Sequence, residues 1–206
     1  MPYEIPLADV KYCYSSHMLE HISDAAASYL LSSVYSIMRD GGVIRIEVPS
    51  ASKILDDYKA DSGRPIARYF ADSNKETIVE QDGYDEKYAQ IHIGTLGAIS
   101  CIHVDRGNKS FSHIPVYADL SLFEANLSTM TTDEFCSWAI GLQTVSERAQ
   151  HGHINYWTEN KLSLVLEEAG FRDINVCNAG ESRHGFDLSI ERPHRAFYSL
   201  IMEAKR

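Results

Sequence analysis

The apolar positions near the start of the chain predict a strand, a helix and a second strand. Residues 10–14 are a short run of β-forming side chains, and the apolar positions after Ser23 recur at helical spacing. Residues 43–48 then alternate apolar with charged side chains as far as Pro49. We therefore expect a helix that Ser23 caps and Gly41-Gly42 ends, and two flanking strands joined by a right-handed parallel crossover.

The last third of the chain has an equally regular pattern. Thr158 can cap a helix that Gly170 ends, and residues 171–177 and 197–204 read as strands. The segment between the two ends is less regular. There we predict a helix over residues 52–58, an irregular stretch over 61–83, a helix over 88–104 broken near Gly94 and Gly97, and a helix that Thr132 caps. The sequence thus predicts one α/β domain, residues 1–206, with a helical and irregular insertion over residues 51–150.

Composition and charge narrow the class of protein. The longest apolar runs fall well short of the ~20 residues that span a bilayer, and the first residues lack the basic start and apolar centre of a signal peptide. We therefore expect a cytoplasmic protein without a membrane association. A net charge of -10 disfavours nucleic acid as a partner. The four cysteines lie far apart in the sequence, which argues against a zinc ribbon or a disulfide framework.

Three segments carry a resemblance to a known family. They are Y-C-Y-S-S-H-M-L-E-H from Tyr12, G-G-V-I-R-I-E-V-P from Gly41, and W-T-x-x-x-L-x-x-x-L-E-E-A-G-F from Trp157. In this order they resemble the fourth strand with its following turn, the fifth strand, and the last helix–strand unit of class I S-adenosylmethionine (SAM)-dependent methyltransferases of the type 11 group. The resemblance implies a partial Rossmann-like sheet, with strands equivalent to the fourth to the seventh. It also implies that the two closing strands form an antiparallel hairpin.

The same resemblance implies a SAM site and its ligands. It places Ser15, Ser16 and His17 beside the methionine end of SAM, although the two serines also fit a purely structural role at a strand end. The family's Gly-rich turn and ribose-binding acid lie on three earlier strands, and this sequence has no glycine before Gly41. We therefore expect an N-terminally truncated relative that, as an isolated chain, holds SAM weakly or not at all.

The resemblance also places His153 near the acceptor pocket, close to Trp157. An imidazole there can deprotonate a hydroxyl near neutral pH, so His153 is the candidate catalytic residue, with a capping or surface role as the alternative. The neighbouring Glu20 and His21 either accept a proton or order the turn after the first strand. No metal is predicted, because the H-x-H pair that ends at His153 lacks a third ligand nearby in the sequence.

Two functions follow from these expectations. The first is a methyltransferase for a hydroxyl of a sugar or another small molecule, with a partner chain supplying the missing SAM-binding elements. The ending S-L-I-M-E-A-K resembles members of the group found beside sugar-transfer genes. The alternative is a catalytically inactive pseudo-methyltransferase that serves as a binding or assembly module.

Without the first three strands of the family, residues 10–14 form the edge of the sheet. Tyr12, Cys13 and Tyr14 bring little charge to protect such an edge, so we expect a homodimer or a partner protein to cover it. The charged Arg45 and Glu47, which alternate with apolar residues, are expected to face solvent, as is Asp9.

Overall fold

The computed structural model describes residues 9–60, 64–72, 89–100, 102–105, 111–114, 118–145, 148, 152–191 and 195–206. The described strands are β1 (Val10–Ser16), β2 (Met38–Pro49), β3 (Ile102–Asp105), β4 (Phe111–Ile114), β5 (Arg172–Cys177) and β6 (Ser199–Lys205). The described α-helices are α1 (Asp24–Ile37), α2 (Ala51–Lys59), α3 (Pro65–Asp72), α4 (Ala89–Ser100), α5 (Leu120–Thr129), α6 (Thr132–Gly141) and α7 (Glu159–Ala169). Short 3-10 turns occupy Leu19–His21 and Leu188–Ile190.

The chain divides into two compact units. The first unit combines Met1–Pro49 with Trp157–Arg206, and the second unit is Ser50–Tyr156. The first unit contains a four-stranded sheet in the order β1-β2-β6-β5. Strands β1 and β2 are parallel, whereas β6 runs antiparallel to both β2 and β5. The fold is therefore α/β with a mixed sheet, and the predicted parallel pair and antiparallel closing pair are both present.

One face of this sheet forms the core of the first unit. Ile44, Ile46 and Val48 of β2 lie on it and are buried with Leu31 of α1 and Leu166 of α7. Both helices begin where local signals predicted, and α7 also ends there. The Ser23 hydroxyl accepts from the N–H of Ala26 at the start of α1, and the Thr158 hydroxyl accepts from that of Lys161 at the start of α7. Gly170 ends α7 in the left-handed conformation at φ 108°.

The glycine pair at 41–42 has a different role from the predicted one. Helix α1 ends at Ile37 and β2 begins at Met38, so Gly41-Gly42 lies inside the strand. The register there is irregular, because Val10 pairs with Met38 and Tyr12 pairs with Val43. A Cβ on Gly42 would lie 3.0 Å from the carbonyl oxygen of Val10. The glycine therefore allows β1 and β2 to approach closely and does not end the helix.

The second unit is more regular than the sequence indicated. Helix α2 begins after Ser50, whose side chain caps it, and α3 occupies part of the stretch predicted to be irregular. Residues 73–83 of that stretch lie outside the described residues. Helix α4 continues through Gly94 and Gly97, where its buried surroundings offset the conformational cost of glycine. The cap of α6 is Thr131, one residue before the predicted Thr132, in a capping box with Glu134.

Strands β3 and β4 pair antiparallel as a two-stranded sheet in the second unit. Throughout the described part of the chain, the helices are too short or too polar to cross a membrane.

Candidate functional site

Polar side chains gather at the carboxyl ends of β1 and β2. These two strands are parallel, so their carboxyl ends meet at one edge of the sheet, the edge at which ligands of open α/β sheets bind. The group, which we call the strand-end cluster, has members from β1, the 3-10 turn, β2 and β6. Its members are Tyr14, Ser16, His17, Glu20, Glu47 and Ser199.

Glu47 is the acceptor at the centre of the cluster. Its side chain is 1% exposed, and its Oε2 accepts hydrogen bonds from Tyr14 Oη at 2.8 Å and from Ser16 Oγ at 3.0 Å. Both donors belong to β1. They reach the same carboxylate because alternate residues of a strand share a face. Burial alone would raise the pKa of Glu47, but the nearby His17 ring and the hydrogen bonds from Tyr14 and Ser16 outweigh it and lower the pKa to about 2. Glu47 is therefore a buried anion at neutral pH.

His17 turns the chain at the end of β1 and joins four elements. Its φ is 50°, an uncommon conformation for a residue other than glycine, and its N–H donates to the carbonyl oxygen of Glu47 at 2.8 Å. Its Nδ1 lies 3.3 Å from Glu20 Oε1, and its Nε2 lies 2.9 Å from Ser199 Oγ. Burial acts to lower the pKa of His17, but the nearby carboxylates of Glu20 and Glu47 outweigh this and raise the pKa.

One chain of contacts in this cluster resembles the triad of a serine hydrolase. It runs from the Ser199 hydroxyl to the His17 ring and on to the Glu20 carboxylate. Ser199, however, is 0% exposed, and its hydroxyl donates to the carbonyl oxygen of Arg195 at 2.8 Å. A nucleophilic serine needs a free approach to substrate and a neutral histidine that accepts its proton. The burial of Ser199 prevents the approach of a substrate, and the raised pKa of His17 disfavours the neutral ring. These three residues thus form an internal network and not a hydrolytic site.

The three residues predicted to hold SAM occupy different surroundings. Ser16 and His17 belong to the strand-end cluster, where their side chains bind other members of it. Ser15 points to the opposite face of β1, and its buried Oγ has no hydrogen-bond partner among the described residues. Their assignment to the cofactor remains a prediction.

His153 lies in the second unit at the end of α4. Its ring is 6% exposed, and its Nδ1 lies 3.1 Å from the carbonyl oxygen of Ile99. Gln143 Nε2 donates to the carbonyl oxygens of Ser100 and His153, both at 2.9 Å. Side chains therefore satisfy two of the last carbonyls of α4, which supports the capping role that the sequence left open. Since a carbonyl oxygen only accepts, Nδ1 carries the proton of the neutral ring and Nε2 is its basic atom.

The two remaining residues of the predicted site lie in the first unit. Glu20 is buried in the 3-10 turn and its carboxylate lies near both His17 and His21, an arrangement that orders the turn. Trp157 is fully buried in the core of this unit.

A second buried network, which the sequence did not predict, lies on the same sheet face as Glu47, the face opposite the core. Arg45 is 0% exposed, its Nη1 donates to Glu203 Oε1 at 2.6 Å, and it also pairs with Glu191. Its guanidinium donates further to the carbonyl oxygens of Glu181 at 2.9 Å and Asn178 at 3.2 Å. The expectation that Arg45 and Glu47 face solvent is therefore wrong, whereas Asp9 is exposed as expected.

A loop closes over this second network. Glu203 Oε2 accepts from Ser182 Oγ and from the N–H groups of Arg183 and His184. The sequence alone does not indicate this pairing, because Arg45 and Glu203 stand opposite each other only through the register of β2 and β6. The loop over residues 178–191 thus covers the sheet face opposite the helices.

A cavity of 420 Å³ opens between the end of β5 and this loop. It is lined by Val176, Cys177, Asn178, Glu181, Ser182 and Arg183. Strand β5 runs in the same direction as β1 and β2, so the cavity lies at the carboxyl end of the sheet. Its size falls within the usual range of small-molecule pockets.

Comparisons of the chain with protein-family models, with curated proteins and with solved structures found no match. Proposals about function therefore depend on the fold, on the geometry of these sites and on the resemblance of the three segments.

Proposed function

We propose that this chain forms the second half of a SAM-dependent methyltransferase fold and acts on a hydroxyl of a sugar or another small molecule. The observation that carries the proposal is the sheet order β1-β2-β6-β5, in which β6 runs against the other three strands. The resemblance of the three segments predicted a parallel pair followed by an antiparallel closing pair. The elements that hold the ribose and the amino acid of SAM would come from polypeptide outside these 206 residues.

The described residues can supply part of a SAM site. SAM, when bound, provides a methyl group on a positively charged sulfur. The end of β1 would lie beside its methionine part, and Ser15 Oγ is the one hydroxyl of the predicted set that has no partner in the described structure. Within the second unit, His153 is the proposed general base, and Nε2 is the basic atom of its neutral ring.

The cavity at the end of β5 supports a sugar as the class of acceptor. An amide, a carboxylate, a hydroxyl and a guanidinium line it, in Asn178, Glu181, Ser182 and Arg183. Together these groups offer both donors and acceptors, which a ligand with several hydroxyl groups needs. We therefore propose that the cavity binds a part of the sugar other than the reacting hydroxyl, since β2 and β6 separate it from the carboxyl end of β1.

The edge of β1 is the proposed place for a partner. In the described sheet, β1 has β2 as its single neighbour, and its regular stretch from Tyr12 to Ser16 carries no charge. The opposite edge, β5, is protected by Arg172, Asp173 and an irregular register. A second copy of the chain or a partner protein would therefore pair with β1 and not with β5.

A second candidate function is a catalytically inactive binding or assembly module with the same fold. The observation that favours it is the commitment of the Ser16 and His17 side chains to Glu47, Glu20 and Ser199. Side chains held in this way offer a cofactor few free polar atoms.

NMR titration of the purified chain with SAM separates the two candidates. We expect a dissociation constant of the order of millimolar, with shifts of the backbone amide signals of Ser15, Ser16 and His17 at about 5 mM SAM. Adenosine alone should shift none of these signals, because the predicted contacts of Ser15, Ser16 and His17 are to the methionine part of SAM. The variant Ser15→Ala should weaken the response, while Ser32→Ala, at an exposed position of α1, should not.

Either of two results would contradict the proposal. The absence of any amide shift at the end of β1 would exclude the methyltransferase reading and favour the inactive module. A dissociation constant near micromolar for the isolated chain would show that these residues hold SAM without further polypeptide.

A further inference from the structure

His17 makes polar contacts on both sides of its ring that favour a proton on each nitrogen. Glu47 and Glu20 are buried, and Glu20 Oε1 lies 3.3 Å from Nδ1, where an ionised carboxylate favours an N–H over a lone pair. Ser199 Oγ already uses its own proton to donate to the carbonyl oxygen of Arg195 at 2.8 Å. It can therefore only accept from His17 Nε2, which lies 2.9 Å away. This arrangement, together with the raised pKa of His17, favours hydrogen on both ring nitrogens and therefore the imidazolium form.

The contact between His17 and Ser199 holds the turn that precedes β6. The N–H of Tyr198 also donates to the carbonyl oxygen of Arg195, and the ring of Tyr198 packs edge-on against that of His17 with centroids 5.4 Å apart. If His17 loses its Nε2 proton, that nitrogen becomes an acceptor. The Ser199 hydroxyl must then rotate towards it and leave the Arg195 carbonyl, or the two groups must separate. Either change loosens the turn over residues 195–199.

We propose that His17 is a proton-operated latch, which ties the turn over residues 195–199 to the carboxyl ends of β1 and β2 while doubly protonated and releases it on deprotonation. The latch lies at the edge of the sheet where α/β proteins bind ligands, so it would couple pH to the shape of that edge. It does not depend on the proposed methyltransferase function, because it needs only residues of the first unit.

The charged and titratable groups around His17 come from each neighbouring element. They are Tyr14 on β1, Glu20 and His21 in the 3-10 turn, Glu47 on β2, and Arg195 and Tyr198 in the turn before β6. The two carboxylates favour the imidazolium, whereas burial and the positive charge of Arg195 oppose it. Glu47 stays ionised across the relevant range, since its pKa is about 2. We therefore assign the transition in the turn over residues 195–199 to His17, the histidine that contacts Ser199, and not to His21, which faces Glu20.

The direction of the effect on stability follows from the raised pKa of His17. Its contribution to the free energy of unfolding is complete below the ordinary histidine pKa of about 6.5. That contribution declines as pH rises through the higher pKa of the folded state. The latch thus closes at lower pH and opens at higher pH.

NMR titration from about pH 5 to about pH 9 tests the latch on the full chain. We expect His17 to titrate above about 6.5, and the backbone amides of Tyr198 and Ser199 to shift with the same midpoint. The variant His17→Gln, which keeps donors and acceptors but does not titrate, should abolish the amide transition. The matched variant His21→Gln, which changes the neighbouring and more exposed histidine, should leave it intact.

A second variant keeps the test decisive if His17→Gln does not fold. In Ser199→Ala, His17 should still titrate above about 6.5 because its carboxylate partners remain, but the amide of Tyr198 should no longer follow it. The proposal is overturned if His17 titrates at or below its ordinary value. It is also overturned if the amide transition is absent in the unaltered protein or persists in either His17→Gln or Ser199→Ala.

Discussion

Replacement of Arg45 by methionine should strongly destabilise the first unit. Arg45 is the cation between Glu203 and Glu191, and all three side chains are buried. Methionine fills a similar volume but leaves two buried carboxylates without their cation. Removal of one partner from a buried ion pair costs about 3–5 kcal/mol. Since whole domains are stable by about 5–15 kcal/mol, this change would remove a large part of the free energy of unfolding.

The two carboxylates keep other hydrogen bonds in Arg45→Met, so the loss in free energy of unfolding should stay within about 3–5 kcal/mol. Glu203 keeps the donors Ser182 Oγ and the N–H groups of Arg183 and His184, which continue to solvate its charge. Glu191 keeps the N–H of Gly180. A second substitution, Glu203→Gln, removes one of the two unpaired charges. The double variant should therefore be less destabilised than the sum of the single variants, by about 1–3 kcal/mol.

Urea unfolding followed by tryptophan fluorescence measures this effect. The chain has two tryptophans, and Trp157 is fully buried in the core of the first unit. A Trp138→Phe background therefore makes the signal report on that unit alone. Arg39→Met is the matched control, because this β2 arginine is 44% exposed and 4.0 Å from exposed Asp9, and such surface pairs contribute about 0–1 kcal/mol. If Arg45→Met unfolds at the same urea concentration as this control, the network does not stabilise the fold as described.

Two further predictions concern a helix end and the sheet edge. In urea unfolding, Gly170→Ala should lower the free energy of unfolding by about 1–3 kcal/mol more than Gly180→Ala does. Both glycines have positive φ, but a Cβ on Gly170 would lie 2.9 Å from the Tyr35 ring, whereas a Cβ on Gly180 would meet open space. Equal losses would mean that the ring moves aside at no cost. For the edge of β1, light scattering of the unaltered chain should give the mass of a dimer. Tyr12→Lys should lower this mass to that of a monomer, whereas the control Tyr29→Lys, at an exposed position of α1, should not. A monomeric unaltered chain at about 100 µM would contradict the dimer.

The structure changes how the Tyr12 variant must be interpreted. The Tyr12 ring packs against Phe186 with centroids 5.3 Å apart, and its hydroxyl donates to the carbonyl oxygen of Gly185 at 2.8 Å. The side chain therefore contributes to the covered sheet face as well as to the strand edge. Circular dichroism of the variant must show that the fold is retained before a change in mass is attributed to the edge.

Local signals in the sequence determined the helix ends and the alternation of strands and helices. The caps at Ser23 and Thr158 and the left-handed Gly170 depend on residues within one turn, so a sequence pattern contains what is needed to predict them. Gly41-Gly42 was misread for the opposite reason. A glycine that ends a helix and one that admits a neighbouring strand look the same in sequence, and only the contact with the Val10 carbonyl distinguishes them.

The buried polar residues were decided by tertiary structure alone. Charges that alternate with apolar residues in a strand usually face solvent, and Arg45 and Glu47 follow that pattern. Both are buried because their partners arrive from distant parts of the chain. Glu203 and the covering loop meet Arg45 across more than a hundred residues, and Ser199 reaches His17 across 182. Sequence periodicity describes one strand at a time, whereas the charge state and the burial of these groups depend on which strands become neighbours.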